Sequence, residues 1–231
     1  MITIRKSQER GFANHSWLKS YHTFSFAGYF DRNHMNFGNL RVINEDKIAG
    51  GRGFDKHLHQ DMEIITYVIS GALSHQDSMG NSSTILPGEV QIMSAGTGVT
   101  HSEFNQKENQ ETHLLQIWIL PKDLKIAPRY GQKSFIESLK KNDFILVVSG
   151  SGRDGSIMIN QDAEIFLGKF KAGKAFDYKV NSNRRIWVQM IAGRISVNGV
   201  ALEKGDAAAI EYENNVSLKA EEDSEFLLFS L

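Results

Sequence analysis

The chain has 231 residues, 41% of them hydrophobic and 23% charged, which is ordinary for a globular protein that buries a sizeable core. Its formal net charge is −1, so it has no excess of positive charge for phosphates or anionic lipid, and we expect no direct nucleic-acid or membrane partner. It has no cysteine, which excludes disulfides and thiolate-bound metal and leaves imidazole, carboxylate, carbonyl or water as metal ligands.

The N-terminal segment, residues 1–12, has no apolar run of signal-peptide length. The longest apolar runs, such as LLQIWIL and FLLFSL, have the length of strands and are too short to span a bilayer. We therefore expect a cytoplasmic protein.

Short β-rich runs, separated by turns that contain glycine, make up most of the chain. Their lengths and their content of Val, Ile, Phe and Tyr predict strands of a sandwich or barrel rather than helices. In chain order they are EIITYVISG (63–71), VQIMSAG (90–96), HLLQIWIL (113–120), FILVVSG (144–150), EIFLGKF (164–170), RIWVQMIAG (185–193), RISVNG (194–199) and EFLLFSL (225–231).

One segment, SFIESLKK at 134–141, has the pattern of a helix. Ser134 is in place to cap it, and Glu137 follows at the spacing of a capping box. The segment comes after Pro121 and Pro128, so it predicts a short helical linker between two halves of the chain.

The two halves look like distant copies of one unit. An offset of 122 places FDKHLH (54–59) over FDYKVN (176–181) and ITYVISGALS (65–74) over WVQMIAGRIS (187–196). An offset of 117 then places ILPGEV (85–90) over LEKGDA (202–207). A repeat of this size, built of strands and tight turns, predicts two jelly-roll barrels from one duplicated fold.

The histidines predict a metal site in the first half, because all eight lie at or before position 113. His57 and His59 share one face of a strand, about 6.6 Å apart along it, and so do His101 and Glu103. If the two strands are neighbours, both pairs can reach one ion at about 2.0–2.1 Å. Three neutral imidazoles and one carboxylate would leave open positions for water or substrate, as in a catalytic site.

A chance pair of surface histidines is the simpler interpretation of His57 and His59 alone, and the repeat provides a test of it. By the two offsets, the four candidate ligands are replaced as a set in the second half, by Lys179, Asn181, Leu218 and Ala220. A shared structural role of the histidines would not predict this joint replacement.

Glu63 has the same strand parity as His57 and His59, so the residues alone leave it open as the acidic ligand.

These segments resemble a known family. Gly51-x5-His57-x-His59-x3-Glu63 resembles the first cupin motif, and Gly98-x2-His101-x3-Asn105 resembles the end of the second. Over its full length the chain resembles the pirin family, and most closely the bacterial pirin-like proteins described as quercetin dioxygenases. The segments that carry this resemblance are HTFSFAGYFD (22–31), LRVINED (40–46), HLHQDMEIITYVISG (57–71), HQDSMGN (75–81) and QIMSAGTGVTHSE (91–103) with Asn105.

The resemblance implies an all-β fold of two tandem cupin (jelly-roll) β-barrels in one bicupin chain. Residues 1–130 would form an N-terminal metal-binding cupin domain, and residues 131–231 a C-terminal cupin domain without metal ligands. It implies one divalent metal cation, held by His57, His59, His101 and Glu103. We expect Fe²⁺ first, while Zn²⁺, Ni²⁺, Co²⁺, Cu²⁺ and Mn²⁺ also suit these ligands.

The family pattern differs from that of many cupins, in which the residue matching Glu63 is the acidic ligand. We therefore expect Glu63 to line the pocket or to support the ligands. His75 is the best candidate for a supporting hydrogen bond behind them. The remaining histidines are expected to be structural or pocket-lining, namely His15, His22, His34 and His113.

The activity that the resemblance implies is a dioxygenase that opens the heterocycle of flavonols such as quercetin with O₂ and releases carbon monoxide. Glu103 would be the catalytic residue that takes the proton of the flavonol 3-hydroxyl. The partners would then be a small aromatic substrate and O₂.

Two alternatives stay open. The first is a metal-dependent regulatory protein with a protein partner and without physiological turnover, as in nuclear pirin relatives. NRR at 183–185 and EEDSE at 221–225 would be its charged segments, although short charge runs are usually solvated surface. The second is a cupin isomerase or hydrolase that uses Zn²⁺ as a Lewis acid.

Overall fold

A computed structural model describes residues 1–141, 143–181 and 183–231. The chain divides into two compact units. The N-terminal unit comprises residues 11–136 and 157–161, and the C-terminal unit comprises residues 1–10, 137–156 and 162–231. Nearly all regular structure is β-strand, so the all-β prediction is confirmed. Among the described residues, no helix is long and apolar enough to cross a bilayer.

The described residues form twenty-two strands, one short α-helix, and 3₁₀ turns at Ser7–Glu9 and Arg153–Gly155. The elements are β1 (Ile2–Arg5), β2 (Gly11–Asn14), β3 (Leu18–His22), β4 (Leu40–Ile48), β5 (Arg52–His59), β6 (Glu63–Ser70), β7 (Leu73–Asp77), β8 (Ser82–Ile85), β9 (Glu89–Ser94), β10 (Val99–Asn105), β11 (Thr112–Ile119), β12 (Arg129–Ser134), α1 (Ile136–Lys141), β13 (Phe144–Ser149), β14 (Ile157–Met158), β15 (Glu164–Phe170), β16 (Ala175–Lys179), β17 (Ile186–Ala192), β18 (Arg194–Val197), β19 (Val200–Glu203), β20 (Ala207–Ile210), β21 (Asn215–Ala220) and β22 (Ser224–Ser230).

The predicted helix begins two residues later than its sequence pattern indicates. Ser134 is the last residue of β12, where it pairs with Glu89, so the predicted cap and capping box are wrong. Glu137 accepts a hydrogen bond from Lys140 Nζ at 2.6 Å instead. Backbone pairing to a neighbouring strand therefore takes precedence over the local capping pattern.

The N-terminal unit consists of two antiparallel sheets. The larger has the strand order β12-β9-β6-β11-β4-β3-β2, and the smaller has the order β5-β10-β7-β8. A core cluster draws on both sheets, as expected for a jelly roll whose inward side chains meet in the middle. Its buried members are Leu18, Ile48, Val68, Leu73, Ile85 and Leu114.

The C-terminal unit repeats this arrangement. In its larger sheet β1, β20, β17, β22, β15 and β13 follow one another, and its smaller sheet has the order β16-β21-β18-β19. Strands β16 to β22 thus take the places of β5 to β11, as a duplicated fold predicts. The units differ in what they bury: β10 turns His101 and Glu103 inward, whereas β21 turns Val216 and Leu218 inward.

Gly71 and Gly193 occupy the same turn in the two units, and both have a positive φ, of 81° and 74°. Thr112 Oγ1 donates a hydrogen bond to the carbonyl of Ala72, and Ser224 Oγ donates one to the carbonyl of Arg194 in the equivalent turn. A Cβ on Gly193 would lie 2.2 Å from the carbonyl oxygen of Asp223. Neither turn therefore has room for a side chain at its glycine position.

Gly193→Ala is expected to destabilise the protein by about 3–5 kcal/mol, because it adds a backbone collision to an unfavourable φ. Gly173→Ala is the matched control, since Gly173 has a φ of 85° and open space around its Cβ position. That control should cost only about 1–2 kcal/mol, the penalty for the conformation. Urea unfolding measures both, and equal losses would contradict the packing argument.

The strand registers correct the repeat positions that the sequence offsets assign to the metal ligands. Glu103 on β10 lies opposite His75 on β7. In the C-terminal unit, Leu218 on β21 lies opposite Val197, the residue 122 positions after His75. Leu218 is therefore the equivalent of Glu103, and the offset between these strands is 115 rather than 117.

A β-bulge in β5 changes the offset for the other two ligands, His57 and His59. Between Phe54 and His57, β5 has one residue more than its partner β10, while β16 pairs with β21 without such an insertion. The offset beyond the bulge is therefore 121. The equivalents of the four ligands are Tyr178, Val180, Val216 and Leu218, all in one apolar core cluster. These residues replace the expected Lys179, Asn181, Leu218 and Ala220, and they too cannot bind a metal as a set.

Candidate metal centre

Three histidines meet where β5 and β10 pair. His101 lies directly opposite His57. The ring centroids of these two are 4.4 Å apart, and those of His57 and His59 are 4.8 Å apart. One ring nitrogen from each of the three lies within 4.8 Å of the others. The structure therefore makes the two histidine-bearing strands neighbours, which is the condition that the sequence left open.

The bulge in β5 orients His57. It places two residues of β5, Asp55 and Lys56, opposite a single residue of β10. The ring Nδ1–H of His57 donates to the carbonyl oxygen of Asp55 at 2.7 Å. A bulge of this kind re-aims a side chain, and a hydrogen bond on one ring nitrogen leaves the other as an acceptor. Nε2 of His57 is therefore the nitrogen left for a metal.

Burial holds His59 and His101 in the neutral form that metals bind. Burial, with the nearby His57 and His59, lowers the pKa of His101 to about 2. Burial and His57 lower the pKa of His59 to about 4. The buried Nε2 of His101 has no hydrogen-bond partner among the described residues. Because buried polar atoms normally have partners, this nitrogen fits a metal ligand.

Glu103 is buried beside the histidines, and it forms a second close group with His75 and His101. Gln116 Nε2 donates to its Oε2 at 3.4 Å, and Thr66 Oγ1 donates to its Oε1 at 3.5 Å. Burial and the neighbouring Asp46 raise the pKa of Glu103 to about 7. His101 belongs to both groups. The donor set of three imidazoles and a carboxylate fits one divalent cation.

Glu63 lies in neither group. Its Oε2 accepts hydrogen bonds from Ser94 Oγ at 2.7 Å and from the backbone N–H of Asn160 at 3.2 Å. Burial raises its pKa. One oxygen of Glu63 is therefore occupied by these contacts, and the residue belongs to neither group of possible ligands, although its strand parity matches that of the histidines.

The other histidines have the surroundings of structural or pocket-lining residues. His75 is buried against His101, with the two Nδ1 atoms 3.4 Å apart. His113 pairs with Glu45, and His34 pairs with Asp31. The two that line the cavity beside the site are His15 and His22.

A cavity of about 930 Å³ opens beside His57, His59 and Glu103. Its wall is largely aromatic, and Trp118 stands against His59 with ring centroids 5.1 Å apart. The aromatic lining residues are Phe12, Trp17, Phe26, Tyr29, Phe54 and Trp118. Such a space suits a flat ligand with one end at the metal.

Asp46 is a cavity residue that the sequence argument did not single out. It lies on β4 within the segment LRVINED, accepts a hydrogen bond from Ser20 Oγ, and lines the same cavity as Asn44 and Gln116. Burial, with the nearby Glu45, raises its pKa to about 7. Asn44 and Asp46 are two residues apart on β4, so the sequence indicates that they share a face. It does not show that this face lines a cavity.

Comparisons with known proteins cover the whole chain. A family model described as Pirin matches residues 3–119, and one described as the quercetinase C-terminal cupin domain matches residues 146–231. A protein of Escherichia coli K12 named quercetin 2,3-dioxygenase is 48% identical over 231 residues, which are 100% of this chain and 99% of that protein. A pirin-like protein of Caulobacter vibrioides is 42% identical over 99% of this chain and 98% of its own length.

Two solved structures are similar to this chain over its full length. YhhW from Escherichia coli is similar with a TM-score of 0.96 at 46% identity, over 100% of this chain and 97% of that chain. A second structure, of bacterial pirin YhhW in complex with nickel(II), has a TM-score of 0.95 at 46% identity, over 100% of this chain and 99% of that chain.

Proposed function

This chain belongs to the pirin family, and from that premise we propose that it is a metal-dependent dioxygenase that opens the heterocycle of flavonols such as quercetin. The observation that carries the proposal is the group of three histidines and a buried Glu103 at the wall of an aromatic cavity. Similarity over the full length to a protein named quercetin 2,3-dioxygenase supports the same activity.

In this proposal His57, His59, His101 and Glu103 hold one divalent cation. We expect Fe²⁺ first, and the nickel(II) complex of the Escherichia coli relative makes Ni²⁺ the next ion to test. Zn²⁺, Co²⁺, Cu²⁺ and Mn²⁺ also suit imidazole and carboxylate. The bound ion would supply a positive charge that favours the deprotonated flavonol oxygen, and a redox-active ion could assist reaction with O₂.

The residues of the cavity then have distinct tasks. The aromatic wall, with Phe26 and Trp118 at 5.3 Å between ring centroids, would bind the flat rings and exclude water. Glu103 would take the proton of the 3-hydroxyl at a carboxylate oxygen. Ser20 and Asp46 would hydrogen-bond further hydroxyls of the substrate. Both atoms of O₂ enter the ring-opened product, and the carbon that carried the 3-hydroxyl leaves as carbon monoxide.

An aerobic quercetin assay tests the proposal. Metal-free protein would be reconstituted separately with each of the six ions, while the flavonol absorbance and the release of carbon monoxide are followed. We expect turnover with at least one ion, in proportion to bound metal and only when O₂ is present. Absence of turnover with every ion would refute the dioxygenase. Activity without O₂ would instead favour the Lewis-acid isomerase or hydrolase.

The regulatory alternative predicts an exposed charged surface, whereas four charged residues of the segments 183–185 and 221–225 form ion pairs within the C-terminal unit. Arg184 pairs with Asp162 and Arg185 with Glu211, while Glu221 pairs with Arg194 and Asp223 with Lys171. Recovery of one stoichiometric protein partner by a pull-down from the native host, together with an inactive quercetin assay, would favour this alternative. A cytoplasmic location stays a prediction, which cell fractionation would check.

A further inference from the structure

We propose that Asp77 and His75 form a hydrogen-bonded chain to His101 that determines which ring nitrogen of His101 is left bare for the metal. The inference rests on the ligand set proposed above. It assigns His75 and Asp77 as positioning residues, since each acts through His101.

The three side chains lie on one face of the pair formed by β7 and β10. Asp77 is opposite His101 in register, and His75 is opposite Glu103. The Nδ1 atoms of His75 and His101 are 3.4 Å apart, and Nε2 of His75 is 3.3 Å from Oδ2 of Asp77. The side chains of His75 and Asp77 are both fully buried, so water does not compete for these bonds.

The geometry allows one consistent placement of the protons. Two Nδ1 atoms that face each other need a single proton between them. If Nε2 of His101 is a metal ligand, the proton of its neutral ring lies on Nδ1 and is donated to Nδ1 of His75. The proton of His75 is then on Nε2, where it is donated to Asp77. The buried Nε2 of His101 is the nitrogen without a partner among the described residues, as this placement requires.

Asp77 is itself fixed by the turn that follows β7. Its Oδ1 accepts the backbone N–H groups of Met79 at 2.9 Å and Asn81 at 3.0 Å. Its Oδ2 accepts Asn81 Nδ2 at 2.9 Å in addition to His75. These bonds hold the carboxylate in place, and because a carboxylate oxygen can only accept, the hydrogen bond to Oδ2 requires the tautomer of His75 that carries its proton on Nε2.

In the C-terminal unit, other residues replace this hydrogen-bonded chain as well as the ligands. Val197 takes the place of His75 in its sheet, opposite Leu218, which takes the place of Glu103. The same unit has an apolar core where the N-terminal unit has its histidines. The polar chain is thus present in the unit that holds the candidate site and replaced in the unit that does not.

Asp77→Asn gives the sharpest test. The two backbone N–H groups hold the amide oxygen at the Oδ1 position, so the amide NH₂ faces Nε2 of His75, and the side-chain amide of Asn81 turns its oxygen toward the same NH₂. The proton of His75 then moves to Nδ1, and the proton of His101 is displaced to Nε2, the atom that the metal needs. Metal support of this kind is worth about 10–100-fold in affinity. We expect D77N and His75→Leu to weaken Zn²⁺ binding by that factor in competition with a chromophoric chelator.

Rescue separates this role from a structural one. His75→Asn puts an amide oxygen near the Nδ1 position, so it accepts from His101 without any help from Asp77. H75N should bind Zn²⁺ within about threefold of the wild type, and adding D77N to it should cost little. Tyr130→Phe is the matched control, because Tyr130 packs on His75 with ring centroids 5.1 Å apart but stands outside the chain. An equal effect of D77N with and without H75N would overturn the proposal.

Nitrogen-15 NMR of the Zn²⁺-loaded wild type tests the same chain without any variant. We expect the proton of His75 on Nε2 and that of His101 on Nδ1, and a proton on Nδ1 of His75 would refute the proposal. Neither measurement involves a flavonol. A protein with this proton pattern but without quercetin turnover would contradict the proposed function alone. Quercetin turnover without this proton pattern would contradict the hydrogen-bonded chain alone.

Discussion

Replacing His57 and His101 together with alanine is expected to abolish metal binding while the fold survives. The two rings face each other across β5 and β10, so their removal takes one ligand from each strand of the site. His57 lines the cavity and His101 is buried, so the unfolding free energy of the metal-free protein should fall by about 2–3 kcal/mol, mainly from the space that the His101 ring leaves. Bound metal, measured by elemental analysis, should fall from about one ion per chain to less than a tenth of that.

Thermal unfolding provides a second measure of the same loss. An ion present at a thousand times its Kd stabilises the wild type by about 4 kcal/mol, so added Zn²⁺ should raise its Tm and leave that of the double variant unchanged. His34→Ala is the matched control, because His34 pairs with Asp31 and does not line the cavity. A double variant that kept its full metal content would show that the ligand assignment is wrong.

Glu103→Gln is expected to reduce quercetin turnover about 100-fold or more while much of the metal stays bound. The substitution keeps the shape of the side chain, and Thr66 and Gln116 can still hydrogen-bond it. It removes the negative charge and the site that would accept the proton of the substrate. The three histidines remain as ligands, so metal content should fall less than turnover. Steady-state kinetics at saturating metal measure the effect.

Glu63→Gln provides the comparison that decides between the two acids. Its Oε2 partners, Ser94 and Asn160, can be satisfied by the amide oxygen, and its Oε1 has no hydrogen-bond partner among the described residues. We expect turnover within about threefold of the wild type and a small loss of stability. If E63Q were the variant that lost metal and activity while E103Q kept both, Glu63 would be the acidic ligand.

Much of the fold followed from local patterns. The all-β class and the duplicated jelly roll could be predicted because alternation, turn glycines and strand-length apolar runs are properties of short segments. The helix start was wrong for the same reason: Ser134 has the local pattern of a cap, but its backbone pairs with Glu89, which is distant in sequence. The equivalents of the ligands were misplaced because a constant offset cannot account for the bulge in β5.

The sequence by itself determined the residue types of the candidate centre and their spacing. Side chains alternate along any strand, so His57 and His59 had to share a face, as did His101 and Glu103, and the lack of cysteine left imidazole and carboxylate as the donors. Only the tertiary structure decided which strands are neighbours. The pairing of β10 with both β5 and β7 brought His57 and His75 to opposite sides of His101 and left Glu63 with Ser94. These are contacts between distant segments, set by backbone hydrogen bonding across the sheet, and no local pattern contains them.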